Sequence, residues 1–239
     1  MSHLLRLLIL LSACDPQSPD LVPRVEHPLP APTVSSSASA ARMAEHFADS
    51  VKIKEAVIAG DLSGIRAPAR RLLEPADASP EAWRPFITAN AEFARAALAA
   101  KRLPGAAQAA AGLARTCGDC HAAMGAGPVF DLPHDTPAPA AHDVHRHMQR
   151  HQWAADRMWD ALVSRSEYAW MVGAITLTDA PMERDDINVD VELPDDLFDL
   201  GGEVHALGAL AVETAGWKAR ADVYGKILIT CAGCHQGGC

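Results

Sequence analysis

The chain has 239 residues, with 30 acidic and 21 basic side chains and a formal charge of −9. This length suffices for one large domain or for two of about a hundred residues each. The acidic balance argues against nucleic acid as a partner, because phosphate binding needs clustered Lys and Arg. Only 5% of the residues are aromatic and alanine is abundant. An all-α fold is favoured, because alanine has the highest helix propensity whereas strands prefer aromatic and β-branched residues.

The N-terminal segment MSHLLRLLILLSAC resembles a bacterial lipoprotein signal peptide. Arg6 precedes a short apolar run, and small residues lead to Cys14, so residues 1–13 are expected to be cleaved and the Cys14 thiol to carry lipid. The apolar run is far too short to span a bilayer. An ordinary secretory signal followed by a chance cysteine is the alternative, and both interpretations imply export. We expect a lipid-anchored protein on the periplasmic side of a bacterial membrane, with inner and outer membrane both left open.

Residues 14–40 are dense in proline and serine and have no apolar period, so they are predicted to form a disordered tether. Residues 41–127 show apolar positions at helical spacing and are predicted to form four helices. These are expected from Met43 to about Val57, from Leu62 to Leu73, from an N-cap at Ser79 to about Arg102, and, after a break at Pro104-Gly105, from Ala106 to His121. Residues 128–140, with four prolines, are interpreted as a linker.

The second half, residues 141–239, repeats the first. A shift of 105 residues aligns the first helices of the two halves, and a shift of 114 residues aligns the last ones. The aligned pairs include Met43 and Met148, His46 and His151, Val57 and Leu162, and Cys117 and Cys231. The chain is therefore predicted to be an internal duplication, with about nine extra residues in the second copy, the difference between the two shifts.

The extra residues are assigned to an acidic segment. Residues 179–199 hold nine carboxylates against one arginine. The favoured interpretation is a solvated loop that runs into the third helix of the second copy, and the alternative is a docking face for a basic redox partner.

The last predicted helix of each half carries the motif Cys-x-x-Cys-His. Its residues are Cys117, Cys120 and His121 in the first half and Cys231, Cys234 and His235 in the second. Two thiols three positions apart face the same side of a helix and can add to the two vinyl groups of one haem, while the following histidine can bind the iron. We therefore predict two covalently bound c-type haems, with the four cysteines as thioether residues and the two histidines as proximal ligands.

Two other interpretations use the same cysteines. Two Cys-x-x-Cys pairs can supply the four ligands of a zinc ion, but the trailing histidine is then unexplained in both copies. A thioredoxin-like dithiol is expected in a βαβ context, which the sequence does not predict.

A four-helix unit with Cys-x-x-Cys-His on its last helix resembles the cytochrome c′ family, and the resemblance covers residues 41–239 as two tandem copies. Ordinary small c-type cytochromes carry this motif near the N-terminus, which is the reverse of the order here. The resemblance implies two tandem antiparallel four-helix bundles. It also implies that the haem is held against the last helix and that the first helix covers the distal side of the iron.

The first helix of each half offers a methionine and, three positions later, a histidine as the sixth iron ligand. We favour His46 and His151, because an apolar core position seldom takes a histidine without a partner, whereas methionine is an ordinary core residue. Met43 and Met148 are the alternative ligands, and an open sixth position is the third option.

Other cysteine and histidine residues receive weaker interpretations. His142, His145 and His147 cluster near the start of the second copy, and the pair His147 and His151 has a spacing that suits a metal. The favoured interpretation of this cluster is a polar helix end beside a haem ligand. Cys239 is an odd thiol at the C-terminus, interpreted as exposed, with a bridge between two chains as the alternative.

These features predict a dihaem c-type cytochrome that passes single electrons between membrane-associated and periplasmic redox partners. The sequence shows no general base, nucleophile or metal-bound water constellation, so an enzyme in its own right is not expected. Binding or sensing of small gases such as CO and NO, in the manner of cytochrome c′, is the alternative function. A dihaem peroxidase is a weaker alternative, because the chain length and the motif positions fit two c′-like bundles better.

Overall fold

The structure, a computed structural model, describes residues 37–74, 79–130, 136–138, 143–179 and 195–236. The predicted signal peptide with Cys14, His142 and Cys239 lie outside the described residues, as do nearly all of the predicted tether and most of the linker and of the acidic segment. The described residues all belong to one compact unit, Thr33–Cys239. They are arranged as helices, with no strand among them, which confirms the expected all-α class.

The first half contains four α-helices. They are α1 (Ser37–Ile58), α2 (Arg66–Arg71), α3 (Arg84–Ala99) and α4 (Leu103–Met124), with a short 3₁₀ turn at Glu81–Trp83 before α3. The second half contains α5 (Val144–Ser164), α6 (Glu167–Thr178), α7 (Asp195–Glu213) and α8 (Trp217–Gln236).

Several predicted boundaries are wrong. Helix α1 begins at Ser37, so the last residues assigned to the tether are helical. Helix α2 is only six residues long, and Ser79 does not cap a helix, because the extended Pro80 and a 3₁₀ turn precede α3. Pro104 lies in the first turn of α4. Proline is tolerated there because the first N–H groups of a helix have no intrahelical partner.

Each half closes a ring of four helices. In the first half α1 packs on α2 and α4, and α3 packs on α2 and α4, while α5 to α8 repeat this arrangement in the second half. The halves also pack on each other, mainly through α4 against α8, with further contacts of α4 on α5 and α1 on α8. The aligned apolar positions Val57 and Leu162 are both fully buried, so equivalent residues form the core of each ring.

Two contacts between the halves join residues that the predicted duplication aligns with each other. The Gln108 side chain donates a hydrogen bond to the Asp222 carbonyl at 3.2 Å, and Lys54 Nζ lies 5.7 Å from the ring centroid of Trp159. These pairs differ by 114 and 105 residues, the two shifts of the duplication. Such contacts are expected if the halves are related by a pseudo-two-fold rotation.

The two Cys-x-x-Cys-His motifs lie at opposite ends of this arrangement. Asp119, inside the first motif, pairs with Arg165, whose guanidinium lies 5.0 Å from the ring centroid of Trp217 at the start of α8. Cys231 of the second motif comes 14 residues later on α8, a distance of about 21 Å along a helix.

Candidate functional site

The first motif occupies the last two turns of α4, before the helix ends at Gly125 with a left-handed φ of 61°. All four motif cysteines of the chain are thiols in the structure. Burial raises the pKa of Cys117 to about 12, with a smaller contribution from Cys120, whose own pKa burial also raises. Asn90 of α3 donates a long hydrogen bond to Cys117 Sγ, at 3.9 Å. These thiols are therefore protonated at neutral pH and do not form a reactive dithiol.

His121 is held in a defined orientation. Its Nδ1 lies 2.8 Å from the carbonyl oxygen of Val163, at the end of α5. A carbonyl only accepts hydrogen bonds, so Nδ1 is the donor of this bond and Nε2 is the nitrogen left to bind a metal. Histidine ligands in metalloproteins are oriented in the same way by their second nitrogen.

The two residues between the motif cysteines pack α4 against α5. A Cβ at Gly118 would collide with the carbonyl oxygen of Leu162, so the backbones approach more closely than any other residue would permit. Asp119 accepts hydrogen bonds from Arg115 at 2.5 Å and pairs with Arg165. The first motif is thus fixed by a helix that belongs to the other half.

The second motif differs from the first in the exposure of its histidine. Burial raises the pKa of Cys231 to about 12, as for Cys117, and Cys234 is buried. His235, however, is exposed. The neighbouring Gln236 side chain donates a hydrogen bond of 3.4 Å to the carbonyl of Gly60 at the end of α1, which mirrors the contact of α4 with the end of α5.

The distal candidate of the first half, His46, lies in α1 and is half-buried. Burial and the nearby Arg42 lower its pKa, so the imidazole is neutral at pH 7 and can act as a ligand. Met43 is 40% exposed. The following residue of α1, Phe47, packs on Phe130, beyond the end of α4, with ring centroids 5.7 Å apart. The N-terminal part of α1 therefore lies near the end of α4 that carries the motif.

The distal candidate of the second half lies in a group of three histidines. His151 and His147 of α5 are buried, and His205 of α7 is half-buried. Their ring centroids are 4.2 Å apart for His147 and His151, 5.0 Å for His151 and His205, and 5.5 Å for His147 and His205. His145, in contrast, is exposed and contacts Gln149 through its ring.

Sequence reasoning paired His147 with His151 but missed His205, which is 54 residues further along the chain. The missed signal was the setting of His205 in an apolar helix, between the buried residues Val204 and Leu207. A histidine on such a face needs a partner, which is the argument that selected His46 and His151.

The motif cysteines do not converge on a common metal. Among the residues that the structure describes, the three histidines are the one group of three or more His, Cys, Asp or Glu side chains with metal-binding spacing. The two Cys-x-x-Cys pairs, at opposite ends of the molecule, therefore do not share a zinc ion.

Within the described part of the chain, no helix combines the length and apolar character needed to cross a membrane. The chain matches no family model, no curated protein sequence and no solved structure.

Proposed function

We propose that the protein is a dihaem c-type cytochrome that carries single electrons between membrane-associated and periplasmic redox partners. The observation that carries this proposal is the hydrogen bond from His121 Nδ1 to the Val163 carbonyl, beside two thiols on the same helix end. It leaves Nε2 of a Cys-x-x-Cys-His histidine available to an iron. When bound, the haem supplies the redox couple, and the chain supplies attachment, axial ligation and burial.

The state of the thiols supports attachment over the two competing functions. A redox dithiol needs a lowered thiol pKa, whereas burial raises the pKa of Cys117 and Cys231 to about 12. A thioether sulfur carries no charge, so the burial that disfavours a thiolate does not disfavour an attached haem. A structural zinc site would need the two cysteine pairs to converge, and they lie at opposite ends.

For the fold we propose two tandem four-helix bundles of the cytochrome c′ type, residues 41–127 and 141–239. The two closed rings of helices and the pseudo-two-fold contacts between them support this assignment. The motifs at opposite ends suit a carrier, because an electron donor and an electron acceptor would not need to share one docking surface.

For the sixth ligand of the first haem we propose His46, because it is more buried than the alternative Met43, which is 40% exposed. In the second half the corresponding candidates are His151 and Met148. We further propose that residues 1–13 are a signal peptide and that lipid on Cys14 anchors the protein on the periplasmic side of the membrane. A docking face for a basic partner within residues 179–199 remains the alternative to a solvated acidic loop.

Haem attachment is tested by extracting the denatured protein with acidified organic solvent after expression in a host that makes c-type cytochromes. We expect wild type to retain two haems per chain and the double variant Cys117→Ala, Cys120→Ala to retain one. The variant Cys231→Ala, Cys234→Ala is the matched control and should also retain one. A wild-type protein that loses all its haem contradicts the proposal.

The anchor is tested by fractionating cells that express Cys14→Ser. We expect this variant in the soluble periplasmic fraction, because it lacks the lipid that holds the protein to the membrane. A variant that stays on the membrane through a salt wash without detergent contradicts lipid as the sole anchor.

A further inference from the structure

Three histidines, two in the first turns of α5 and one in the middle of α7, have ring nitrogens without a partner in the structure. His147 Nδ1, His151 Nε2 and His205 Nε2 are buried and have no hydrogen-bond partner. His147 and His151 are only 6% and 7% exposed. Buried polar atoms are almost always paired, because an unpaired one loses the hydrogen bonds that it makes to water. Three such atoms in one place point to a ligand that they bind together.

One ring nitrogen of each histidine lies within 4.8 Å of one nitrogen of each of the others. Three imidazoles around a tetrahedral zinc ion, with Zn–N distances of about 2.0–2.1 Å, have nitrogens about 3.3 Å apart. Small rotations of the three rings would bring the nitrogens to that spacing. The two α5 residues are also four positions apart on one helix face, which is a common spacing for histidine ligands.

The hydrogen bonds around the three histidines are compatible with a bound cation. His205 Nδ1 is held 2.5 Å from the carbonyl oxygen of Leu177, which places the proton on Nδ1 and leaves Nε2 as a ligand. The nearby positive charge of Arg150 is offset by Asp179, which accepts its hydrogen bond at 2.8 Å.

We propose that His147, His151 and His205 form a binding site for a divalent transition metal with affinity for imidazole, of which Zn²⁺ is the representative. Three histidines leave a fourth coordination position for water, as in zinc sites that hold an exchangeable ligand. The site is confined to the second half. By the shifts of the duplication, Arg42 stands in place of His147 and Ala91 in place of His205.

The proposal has one consequence that rests on the proposed haem function. A single nitrogen of His151 binds one metal, so in the metal-loaded protein His151 does not ligate the second haem. The sixth position of that haem then belongs to Met148 or stays open.

The test measures zinc in the purified full-length protein, after removal of metals with a chelator and equilibrium dialysis against Zn²⁺. We expect one zinc per chain in wild type, and binding weakened by roughly tenfold or more in His147→Gln and in His205→Gln. The matched control is His145→Gln on the exposed face of α5, which should bind zinc as wild type does. Circular dichroism establishes that each variant is folded. Wild type without stoichiometric zinc, or zinc binding in His147→Gln and His205→Gln as tight as in wild type, overturns the proposal.

A second measurement separates this site from the haem. The haem content and the CO-difference spectrum are recorded on the same samples and on His151→Gln. We expect His151→Gln to lose zinc and to leave both haem spectra unchanged. A variant that keeps zinc while one haem becomes high-spin and binds CO overturns the metal site and assigns His151 to the iron. Zinc binding that depends on His147 in a protein without haem leaves the metal site standing and refutes the proposed electron carrier.

Discussion

The first half holds its motif histidine firmly, whereas the second half leaves the equivalent residue open. His121 contacts the Val163 carbonyl at 2.8 Å, but its counterpart His235 is exposed. On the distal side, the more buried histidine belongs to the second half. His46 stands near an arginine, whereas its counterpart His151 is buried with two further histidines. The two halves thus share the order of their helices and the motif, whereas the side chains around each motif differ.

The two halves also share a backbone angle after their first helices. Helix α1 is followed by Gly60 at a φ of 71°, and α5 ends at Arg165 with a φ of 60°. These residues differ by 105 positions, the shift of the duplication. A left-handed residue costs about 1 kcal/mol more for arginine than for glycine. Arg165 is kept in that conformation because its side chain pairs with Asp119 and stacks on Trp217.

The largest expected effect concerns the distal side of the first half. We expect His46→Ala to convert one of the two haems from low-spin to high-spin and to open it to CO, because the imidazole is the proposed sixth ligand. Met43→Ala is the control and should leave the spin state unchanged, since its side chain is largely exposed. Optical and electron paramagnetic resonance spectra measure the change. A haem opened by Met43→Ala and not by His46→Ala would assign the ligand to methionine.

The next effect concerns the closest contact between the halves. Gly118→Ala places a Cβ on the Leu162 carbonyl, and we expect a loss of about 3 kcal/mol in the free energy of unfolding. Gly202→Ala in α7 is the control, because a Cβ there meets nothing within 4 Å, and we expect a gain of about 0.5–1 kcal/mol. Denaturant titration of the haem-loaded protein measures both. Equal effects of the two variants would show that α4 does not need glycine at this contact.

The location of the first motif was predictable only in part. The apolar repeat placed α1, α4, α5 and α8, because their buried positions recur at helical spacing in both halves. The Asp119 and Arg165 pair was not predictable, because it joins residues from different halves. Such contacts follow from how the halves pack, which no local pattern records. His205 was missed for the same reason, since it meets α5 only through the tertiary fold.

A smaller effect concerns the contact of Lys54 with the second half. Lys54 is buried, pairs with Asp156 and lies over Trp159, its own counterpart in the duplication. Asp156→Ala leaves the ammonium buried without its carboxylate, and we expect a loss of about 2 kcal/mol, because Asp156 is partly exposed. Lys54→Met removes the charge and should cost less than about 1 kcal/mol. Similar losses in both variants, measured by denaturant titration, would show that the ion pair does not link the halves.

The smallest effect depends on pH and compares Asp160 with its counterpart Glu55. Asp160 is buried on α5, whereas Glu55 on α1 is exposed. Burial raises the pKa of Asp160 from 3.8 to about 6, against the opposing effect of Arg157. The folded state therefore binds more protons than the unfolded state between these pH values. The contribution of Asp160 to stability is fully present below pH 3.8 and is lost as the pH rises through 6.

Asp160→Asn imitates the protonated side chain, so it should stabilise the protein at pH 7 and have little effect near pH 4. The full shift corresponds to about 3 kcal/mol, and we expect a gain of about 1–2 kcal/mol, because the amide loses the ion pair with Arg157, which is 2.8 Å long. Glu55→Gln, at the exposed counterpart position on α1, is the control for exchanging a carboxyl group for an amide. Denaturant titrations at pH 4 and pH 7 measure the difference. A loss of stability at pH 7 in Asp160→Asn would show that the ion pair with Arg157 outweighs the cost of burying the Asp160 carboxylate.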